Sequence, residues 1–419
     1  MNNKLSYQHF SLPGLNGKHF LFLFIVWPFL AFISALANYS NKESRRVVYL
    51  FLIYYGLTFV IDNEGIDASR YAEYMKANAL LPFSDFFKII GGIYTSDSSL
   101  DFVEQLISFI VSRFTTDHGI LFAAYAAVFG FFYLKSINLL HNRYQDNPGW
   151  NVLVHLAFFT LILPVTAING FRMWTAAWIF FYGAYHVILH HDARYLLLTI
   201  ASSLVHFSFL SINIVLIIYF LAGNRNAIYL PIALLSFFIP QKFSPILQSI
   251  SLKLGGGLQS RIEMYTSADV IIGRQESFVE AAWFLKIGED LVFYYLILAI
   301  IAIQLLNRER MKEKVERNLF SFLLLLLAFV NFGKEIPSFG GRFQVLFFMF
   351  GTLYVFNYFL KLPGDKINLL TWIGLFPMTL YAAVALRQGS ETMNAWLFTP
   401  GLGLPLIVPD ITVFDFLFR

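Results

Sequence analysis

The chain of 419 residues is 58% hydrophobic and 18% aromatic, and only 13% of its residues are charged. A soluble chain of this length could not bury so much apolar surface, so the composition excludes a soluble globular domain and makes a lipid bilayer the solvent. The formal net charge of +4 does not indicate a nucleic-acid partner, because the basic residues lie in short connections between apolar segments. The absence of cysteine excludes disulfides, thiolate catalysis and Cys-ligated metals.

The apolar segments are long and are separated by short polar or Gly/Pro breaks, which predicts helices and not the alternating strands of an outer-membrane barrel. We predict an all-α, polytopic integral membrane protein of about 11–12 transmembrane helices, forming a single transmembrane domain over residues 1–419. The first apolar segment lacks a small-residue cleavage site and is predicted to be a retained span. Apart from one central segment, the predicted spans are Leu21–Ala35, Val47–Ile61, Ile120–Leu140, Trp150–Ile168, Phe171–Leu189, the short Ile228–Ile239 that Pro231 interrupts, Ala281–Leu306, Leu319–Phe332, Phe343–Leu360 and Leu369–Leu386.

The central segment Tyr195–Leu221 is longer than the ~20 residues that one untilted transmembrane helix needs. Its middle is polar, with Ser202, Ser203, His206 and Ser208. We predict that this segment folds as two short helices that meet near His206. One continuous helix is the alternative, and it would reduce the number of spans by one.

Lysine and arginine in the short connections predict the orientation, because basic loops resist translocation. With the central segment folded as a hairpin, all of these connections lie on one face, which we assign to the cytoplasm. Both termini and two long loops, residues 62–119 and 241–280, then lie outside, where we expect the chemistry. The basic residues are Lys42, Arg45, Arg46, Arg143, Arg194, Arg225, Arg308, Arg310, Lys312, Lys314, Arg317, Lys361 and Lys366.

The two outer loops contain one predicted helix and one glycine run. The segment Asp101–Phe114 places polar and apolar residues on opposite helical faces, which predicts a helix lying in the membrane interface. Its polar face comprises Asp101, Glu104, Gln105, Ser108 and Ser112. In the second loop, the run Gly255–Gly257 precedes a charged segment; this is typical of a mobile cover over a site, and a flexible link is an equal alternative.

Three arginines predicted near the outer face indicate an anionic ligand. Arg172 and Arg342 each closely follow glycine at the outer end of a predicted span, and Arg261 lies in the second outer loop. A guanidinium binds phosphate oxygens in pairs, and glycine lets the backbone approach closely. The alternative for each arginine alone is that its side chain extends to lipid headgroups. For the three together we favour a binding pocket.

His206, at the predicted turn of the hairpin, is a candidate proton acceptor, because an imidazole ionises near neutral pH. A histidine among apolar residues is also a common packing residue, so both interpretations stay open. Lys286 and Asp290 lie four residues apart and are predicted to pair within one helix. The sequence has no HExxH spacing and no Walker or GxGxxG loop, so it does not support a metal or nucleotide cofactor.

Several short motifs follow one another in a defined order. The first outer loop begins IDNEGIDASRYAEYM, an acidic segment ending in D-x-x-x-Y at Asp67 and Tyr71. It is followed by an amphipathic segment, an arginine that opens a span, a histidine-x-serine motif, and two outer arginine segments: DFVEQLISFIVSRF, NGFRMW, SSLVHFSFL, QSRIEMY and GGRFQVLFF. This order resembles the EpsG-like branch of the Wzy polysaccharide polymerases from Val47 to Leu360. The resemblance gives no role to the N-terminal extension or to the apolar tail Trp396–Arg419.

The resemblance implies a polymerase, similar to multi-span C-type glycosyltransferases. Such an enzyme joins oligosaccharide repeats carried on undecaprenyl diphosphate, at the outer face of the bacterial cytoplasmic (inner) membrane. It implies no cofactor and no metal. The implied partners are the lipid-linked oligosaccharide, the bilayer, a chain-length regulator and a flippase, with no nucleic acid.

The implied chemistry assigns roles to the candidate residues. Arginines would stabilise the negative charge that develops on the leaving diphosphate; these are Arg172, Arg261 and Arg342. A base would take the proton of the attacking hydroxyl; the first candidate is His206, followed by Glu335 and Asp67. Further side chains would contact the sugar; these are Tyr71, Tyr74, Arg70 and the outer tryptophans.

Two other functions compete with this interpretation. A multi-span O-acyltransferase would also place a histidine and arginines near the outer face, but the arginine–histidine pair expected in its first span is missing. A flippase or transporter of the same lipid-linked sugar would show inverted repeats with paired broken helices. The sequence contains one suspected break, near His206, and no convincing internal repeat.

Overall fold

The computed structural model describes residues 17–61, 67–85, 101–144, 148–238, 249, 283–307, 309, 312–334, 337–362 and 366–418. Within these residues the named elements are all helices, beside two isolated β-bridges, which confirms the predicted all-α class. The α-helices are α1 Gly17–Val26, α2 Pro28–Ala37, α3 Lys42–Leu57, α4 Asp67–Ala79, α5 Phe102–Ser112, α6 His118–His141, α7 Trp150–Ile162, α8 Phe171–His190, α9 Arg194–Val205, α10 Phe209–Ala222, α11 Asn226–Leu235, α12 Trp283–Leu306, α13 Lys314–Gly333, α14 Pro337–Leu360, α15 Leu369–Ser390, α16 Leu404–Ile407 and α17 Val413–Phe418. Short 3-10 helices lie at Val165–Gly170 and Ala395–Phe398.

Several of these helices have the length and composition of membrane spans. Among the described residues, six helical segments are long and apolar enough to cross a membrane: His118–His141, Trp150–His190, Ile287–Leu306, Lys314–Gly333, Gly340–Leu360 and Leu369–Ser390. Shorter apolar helices accompany them, namely α2, α5, α9, α10 and α11. Helices that satisfy their own backbone hydrogen bonds suit a bilayer. The chain is therefore a polytopic membrane protein, as predicted.

Two helices, α8 and α14, form the centre of the bundle. Both are buried along most of their length, and Trp178 of α8 is completely buried. Phe181 of α8 packs on Phe350 of α14 with ring centroids 4.8 Å apart. A helix that is apolar on all sides lies in the interior of a bundle. The other spans are arranged around this pair.

Prolines interrupt two of the predicted spans. The predicted span Leu21–Ala35 is divided into α1 and α2, because α2 begins at Pro28, whose ring nitrogen has no hydrogen to donate to the preceding turn. The predicted span Trp150–Ile168 is helical only to Ile162, and a 3-10 helix follows Pro164. Proline disfavours the helical conformation of the residue before it. Both boundaries therefore differ from the prediction for the same physical reason.

The predicted hairpin of the central segment is confirmed. Helix α9 ends at Val205, His206 has an extended backbone, and α10 begins at Phe209. The side-chain amide of Asn213, on α10, donates to the carbonyl oxygen of Thr199 at 2.8 Å and contacts Ser203 Oγ at 3.1 Å. These bonds fasten the two short helices together. We call the end of the bundle at which they meet the hairpin end.

The predicted amphipathic segment of the first loop forms α5, with its polar face turned towards the protein. Glu104 and Ser108 are buried, whereas Ile110 is exposed. Helix α5 packs beside α4, where Asn78 Nδ2 donates to Ser108 Oγ at 3.3 Å. The helix therefore presents its carboxylate side to the neighbouring spans. Apart from Ser249, the second long loop, including Gly255–Gly257, lies outside the described residues.

The C-terminal tail folds back over α1, α2 and α3. The indole of Trp27 donates to the Phe398 carbonyl oxygen at 2.9 Å, and Tyr54 Oη donates to the Leu402 carbonyl oxygen at 2.8 Å. An isolated bridge joins Phe59 to Met393. This segment, which had no predicted role, stabilises the break between α1 and α2.

Candidate functional site

Arg172 forms the centre of a polar cleft at the hairpin end. It is the second residue of α8, directly after the 3-10 helix, and its side chain is 26% exposed. Its Nε donates to Tyr71 Oη at 3.1 Å, its Nη1 donates to Asp101 Oδ2 at 3.1 Å, and its Nη2 lies 3.6 Å from Asp67 Oδ1. The guanidinium therefore connects α4, the start of α5 and α8.

Asp101, which was not among the predicted site residues, links this arginine to the histidine. It is 5% exposed. Its Oδ2 also lies 3.1 Å from His206 Nδ1, and its Oδ1 accepts from the Phe207 backbone N–H at 2.8 Å. Burial raises the pKa of Asp101, but its contacts with His206, Arg172 and the Phe207 N–H outweigh burial and hold the pKa below its usual range. Asp101 is therefore ionised.

The ionised Asp101 determines how His206 is protonated. A carboxylate accepts hydrogen bonds and has none to donate, so His206 Nδ1 must carry the hydrogen that lies between them. The other ring nitrogen, Nε2, is then the position at which a neutral imidazole accepts a proton. The His206 ring lines the cleft. This arrangement suits a general base that is oriented by a buried carboxylate.

Glu104 is a second carboxyl group beside this cluster, and it too was missed as a site residue. It is 3% exposed and accepts a hydrogen bond from Tyr125 Oη at 3.2 Å. Burial raises the pKa of Glu104 to about 7, while Arg172 and the Tyr125 hydroxyl partly oppose the rise. Glu104 therefore titrates near neutral pH, whereas Asp101 does not.

The cleft has an empty volume of about 310 Å³. Its lining residues are Asp67, Tyr71, Gly170, Arg172, Met173, Trp174, His206 and Arg342. A side chain at Gly170 would press on the Trp174 indole, since a Cβ there would lie 2.7 Å from Nε1. The glycine thus leaves room for this indole at the wall of the cleft.

Arg342 is the cation of this cleft that is most available to a ligand. It lines the cleft on α14 and is partly exposed. Within the described part of the chain it forms no hydrogen bond and no ion pair. Arg172, in contrast, already contacts two carboxylates. An anion that enters the cleft therefore meets one guanidinium that is held rigidly and one that is free to turn towards it.

The other predicted site residues are distributed unevenly. Tyr71 lies in the cleft wall and is 2% exposed, and Asp67 also lines the cleft. Arg70 lies at the rim, where it pairs with Asp67 at 2.7 Å. Tyr74 is 62% exposed and does not line the cleft. Three predictions, those for Arg261, Glu335 and the side chain of Lys286, concern positions outside the described residues.

Residues from five separate parts of the sequence meet at this cleft, at positions 67–71, 101, 170–174, 206 and 342. Among the described residues no group of three or more His, Asp and Glu side chains is placed to hold a metal ion. The arrangement combines an oriented imidazole, an ionised carboxylate and two guanidinium groups. It can accept a proton and stabilise an anion at neighbouring positions.

The family model described as the EpsG family matches residues 57–397. This range contains every residue of the cleft and ends within the 3-10 helix Ala395–Phe398 of the C-terminal tail. A search of curated proteins and a search of solved structures each gave no match.

Proposed function

This chain belongs to the EpsG family, and from that premise we propose that it is a glycosyltransferase that polymerises lipid-linked sugars. In this proposal it joins oligosaccharide repeats carried on undecaprenyl diphosphate, at the outer face of the bacterial cytoplasmic membrane. The single observation that carries the proposal is the buried Asp101, which contacts both Arg172 and His206 at 3.1 Å. This carboxylate brings a proton acceptor and an anion-binding group into one cleft.

His206 acts as the base in the proposed reaction. A hydroxyl oxygen of the acceptor sugar forms a bond to the anomeric carbon of the donor, and its proton passes to His206 Nε2. Asp101 stabilises the resulting imidazolium through Nδ1. Asp67 and Glu335 are the alternative bases; Asp67 already pairs with Arg70 and Arg172, so its carboxylate is also suited to positioning Arg172.

The arginines bind the diphosphate. The bond between the anomeric carbon and the diphosphate oxygen breaks, and its electron pair leaves with the lipid diphosphate. Arg342 approaches this group first, and the remaining N–H groups of Arg172 add further donors. Arg261 of the second loop contributes a third guanidinium. Positive charge placed where negative charge develops lowers the barrier without a cation cofactor.

Aromatic side chains bind the sugar in this proposal. The Trp174 indole and the Tyr71 ring line the cleft, and an aromatic face packs well against the apolar face of a sugar ring. Tyr74 and Arg70 lie at the edge, where they contact a longer repeat unit. A flippase that delivers the repeats and a chain-length regulator are the proposed protein partners.

The test uses purified protein in vesicles, supplied with lipid-linked repeats extracted from a host strain that lacks this gene. We expect the wild type to convert single repeats into a series of longer products, and we expect His206→Ala to lose this activity. The control is His118→Ala, because His118 begins α6 and does not line the cleft. Repeats that stay single contradict the proposal; acetylated repeats would indicate an acyltransferase, and repeats moved across the bilayer would indicate a flippase.

A further inference from the structure

An apolar groove lies between α10 and α13, beside the polar cleft. It has an empty volume of about 480 Å³, part of which is open to the surroundings. Its six lining residues are all apolar: Val215, Ile218, Leu325, Ala328, Phe329 and Phe332. Ala328 is the smallest of them, and it opens space between the larger side chains.

A row of packed aromatic rings links the groove to residues beside the cleft. Phe329 of the groove packs edge-on against Phe343, with ring centroids 5.2 Å apart. Phe343 directly follows Arg342, which lines the cleft. Phe343 also contacts Phe209 at 5.3 Å, and Phe209 lies 6.5 Å from the His206 ring. Phe329 of the groove is therefore one ring contact away from the residue that follows Arg342.

The groove runs from the hairpin end towards the middle of the bundle. Phe332 lies next to Gly333, the last residue of α13, and Leu325 lies deeper by ~10 Å at a rise of ~1.5 Å per residue. On α10, Ile218 lies ~14 Å from the Phe209 end by the same rise. Half the hydrocarbon core of a bilayer is ~15 Å thick. The groove thus begins within two residues of the end of α13 and extends by ~10 Å along that helix, a length comparable with most of one leaflet.

Apolar walls alone do not select an occupant within a membrane. Lipid tails are as apolar as leucine, so a hydrocarbon chain gains no hydrophobic free energy by leaving the bilayer for the groove. Selection requires a second contact, and the neighbouring cleft provides one through Arg342 and Arg172. A chain whose own head group binds these arginines is held beside the groove at a high effective concentration.

We propose that the groove binds the first isoprene units of the polyprenyl chain whose diphosphate occupies the cleft. This inference rests on the proposed function, and it adds a lipid site formed by α10 and α13. It makes the chain part of the recognised substrate, so that a repeat with a truncated lipid binds less tightly. It also places the donor sugar on the side of the diphosphate that faces away from Phe343.

The test is photocrosslinking in vesicles of phosphatidylglycerol and phosphatidylethanolamine that contain a small mole fraction of undecaprenyl diphosphate. The full chain carries p-benzoylphenylalanine in place of Ile218, and adducts are identified by mass spectrometry. The control carries it in place of Ile214, on the same helix; both positions are about half exposed, but Ile214 does not line the groove. Both variants keep an apolar side chain on the lipid-exposed surface, so folding is preserved.

We expect polyprenyl adducts at Ile218 to exceed their mole fraction about tenfold, which corresponds to ~1.4 kcal/mol. The enrichment should disappear in the Arg342→Ala background and should be absent at Ile214. Equal adducts at Ile218 and Ile214 would overturn the proposal and show an ordinary lipid contact. This readout needs no catalysis: enrichment without polymerisation in the vesicle assay would retain the groove and reject the proposed function.

Discussion

Asp101 determines the chemistry of the cleft at the scale of single residues. One buried carboxylate holds the guanidinium of Arg172 and orients the imidazole of His206. Such a group is stable only while both partners stay in place, because an unpaired buried charge is costly. The geometry of the base and that of the anion site are therefore coupled through one side chain.

Arg172→Lys should lose about 10²-fold in polymerising activity. The guanidinium uses separate nitrogens to reach Tyr71 and Asp101, and a lysine ammonium cannot hold both, while each charge-assisted bond contributes ~1.5–3 kcal/mol. The measurement is the rate of product formation in vesicles. The control is Arg70→Lys, which alters one exposed contact to Asp67. A fully active Arg172→Lys with normal membrane insertion would refute this role.

Glu104→Gln should change how stability depends on pH. The folded-state pKa of about 7 lies above the usual value of 4.5. Folding therefore favours the neutral carboxyl. The contribution of Glu104 to the stability of the folded protein is fully present below pH 4.5 and is lost as the pH rises through 7. Glutamine stays neutral, so the thermal midpoint of the variant should rise relative to wild type between these values. If the thermal midpoints of wild type and variant, measured in detergent, change with pH in the same way, the raised pKa of Glu104 is contradicted.

The sequence allowed part of this site to be predicted. Arg172, His206 and Arg342 were selected from their charge and position, Asp67 and Tyr71 were selected from the family resemblance, and all five line one cleft. Asp101 and Glu104 were placed on the polar face of a predicted helix at the membrane interface. That pattern does not tell whether the polar face is turned to water or to neighbouring spans, so the decisive carboxylate was missed.

At the scale of elements, close packing at glycines sets the distance between neighbouring helices. Helices α3 and α6 meet at Gly56, where an added Cβ would lie 2.4 Å from the Phe122 carbonyl oxygen. Small residues of this kind let membrane helices approach closely. Helix α6 carries Tyr125, which donates to Glu104, so the separation of these helices also affects the cleft.

Gly56→Ala should destabilise the protein by ~1–3 kcal/mol, the usual cost of overpacking. The clash is with backbone and requires the two helices to separate. The matched control is Gly130→Ala on the same interface, where the nearest atom is Leu52 Cδ1 at 3.1 Å, the end of a side chain that can move. The measurement is the thermal midpoint of each purified variant. Equal midpoints for the two variants would contradict this difference.

The helical hairpin and the broken spans differ in how well the sequence revealed them. The polar centre of Tyr195–Leu221 predicted the turn at His206, because polar residues are costly in the middle of a span. The helix breaks at Pro28 and Pro164 were not predicted, although proline disfavours the helical conformation of the residue before it. A hydropathy average over many residues does not register a single proline, whereas that proline interrupts the hydrogen bonds of the helix.

The arrangement of the whole molecule predicts where its two ends lie. The cleft lies at the hairpin end, and the turn between α10 and α11 lies at the opposite end, with the basic connections. A cysteine placed at Asn226 in this cysteine-free chain should be labelled only from the cytoplasm, because basic loops stay there. A cysteine at the exposed Tyr74 should be labelled only from outside. The reverse pattern would place the cleft in the cytoplasm.

Composition alone predicted the class of the whole molecule, since an apolar chain of this length requires a bilayer. The path of the tail after α15 could not be predicted, because its contacts with Trp27 and Tyr54 join residues more than 300 positions apart. No local pattern indicates such contacts. Placement of the second outer loop and Arg261 likewise stays a prediction from sequence.

The length of the surface polysaccharide in the host tests whether this cleft polymerises lipid-linked repeats. The gene is deleted and then restored with wild type or with Asp101→Asn, and the extracted polysaccharide is displayed on a gel. We predict that deletion leaves single repeats without the long ladder, that wild type restores the ladder, and that Asp101→Asn inserts normally but restores no ladder. A ladder of unchanged length after deletion, or full rescue by Asp101→Asn, would contradict polymerisation at this cleft.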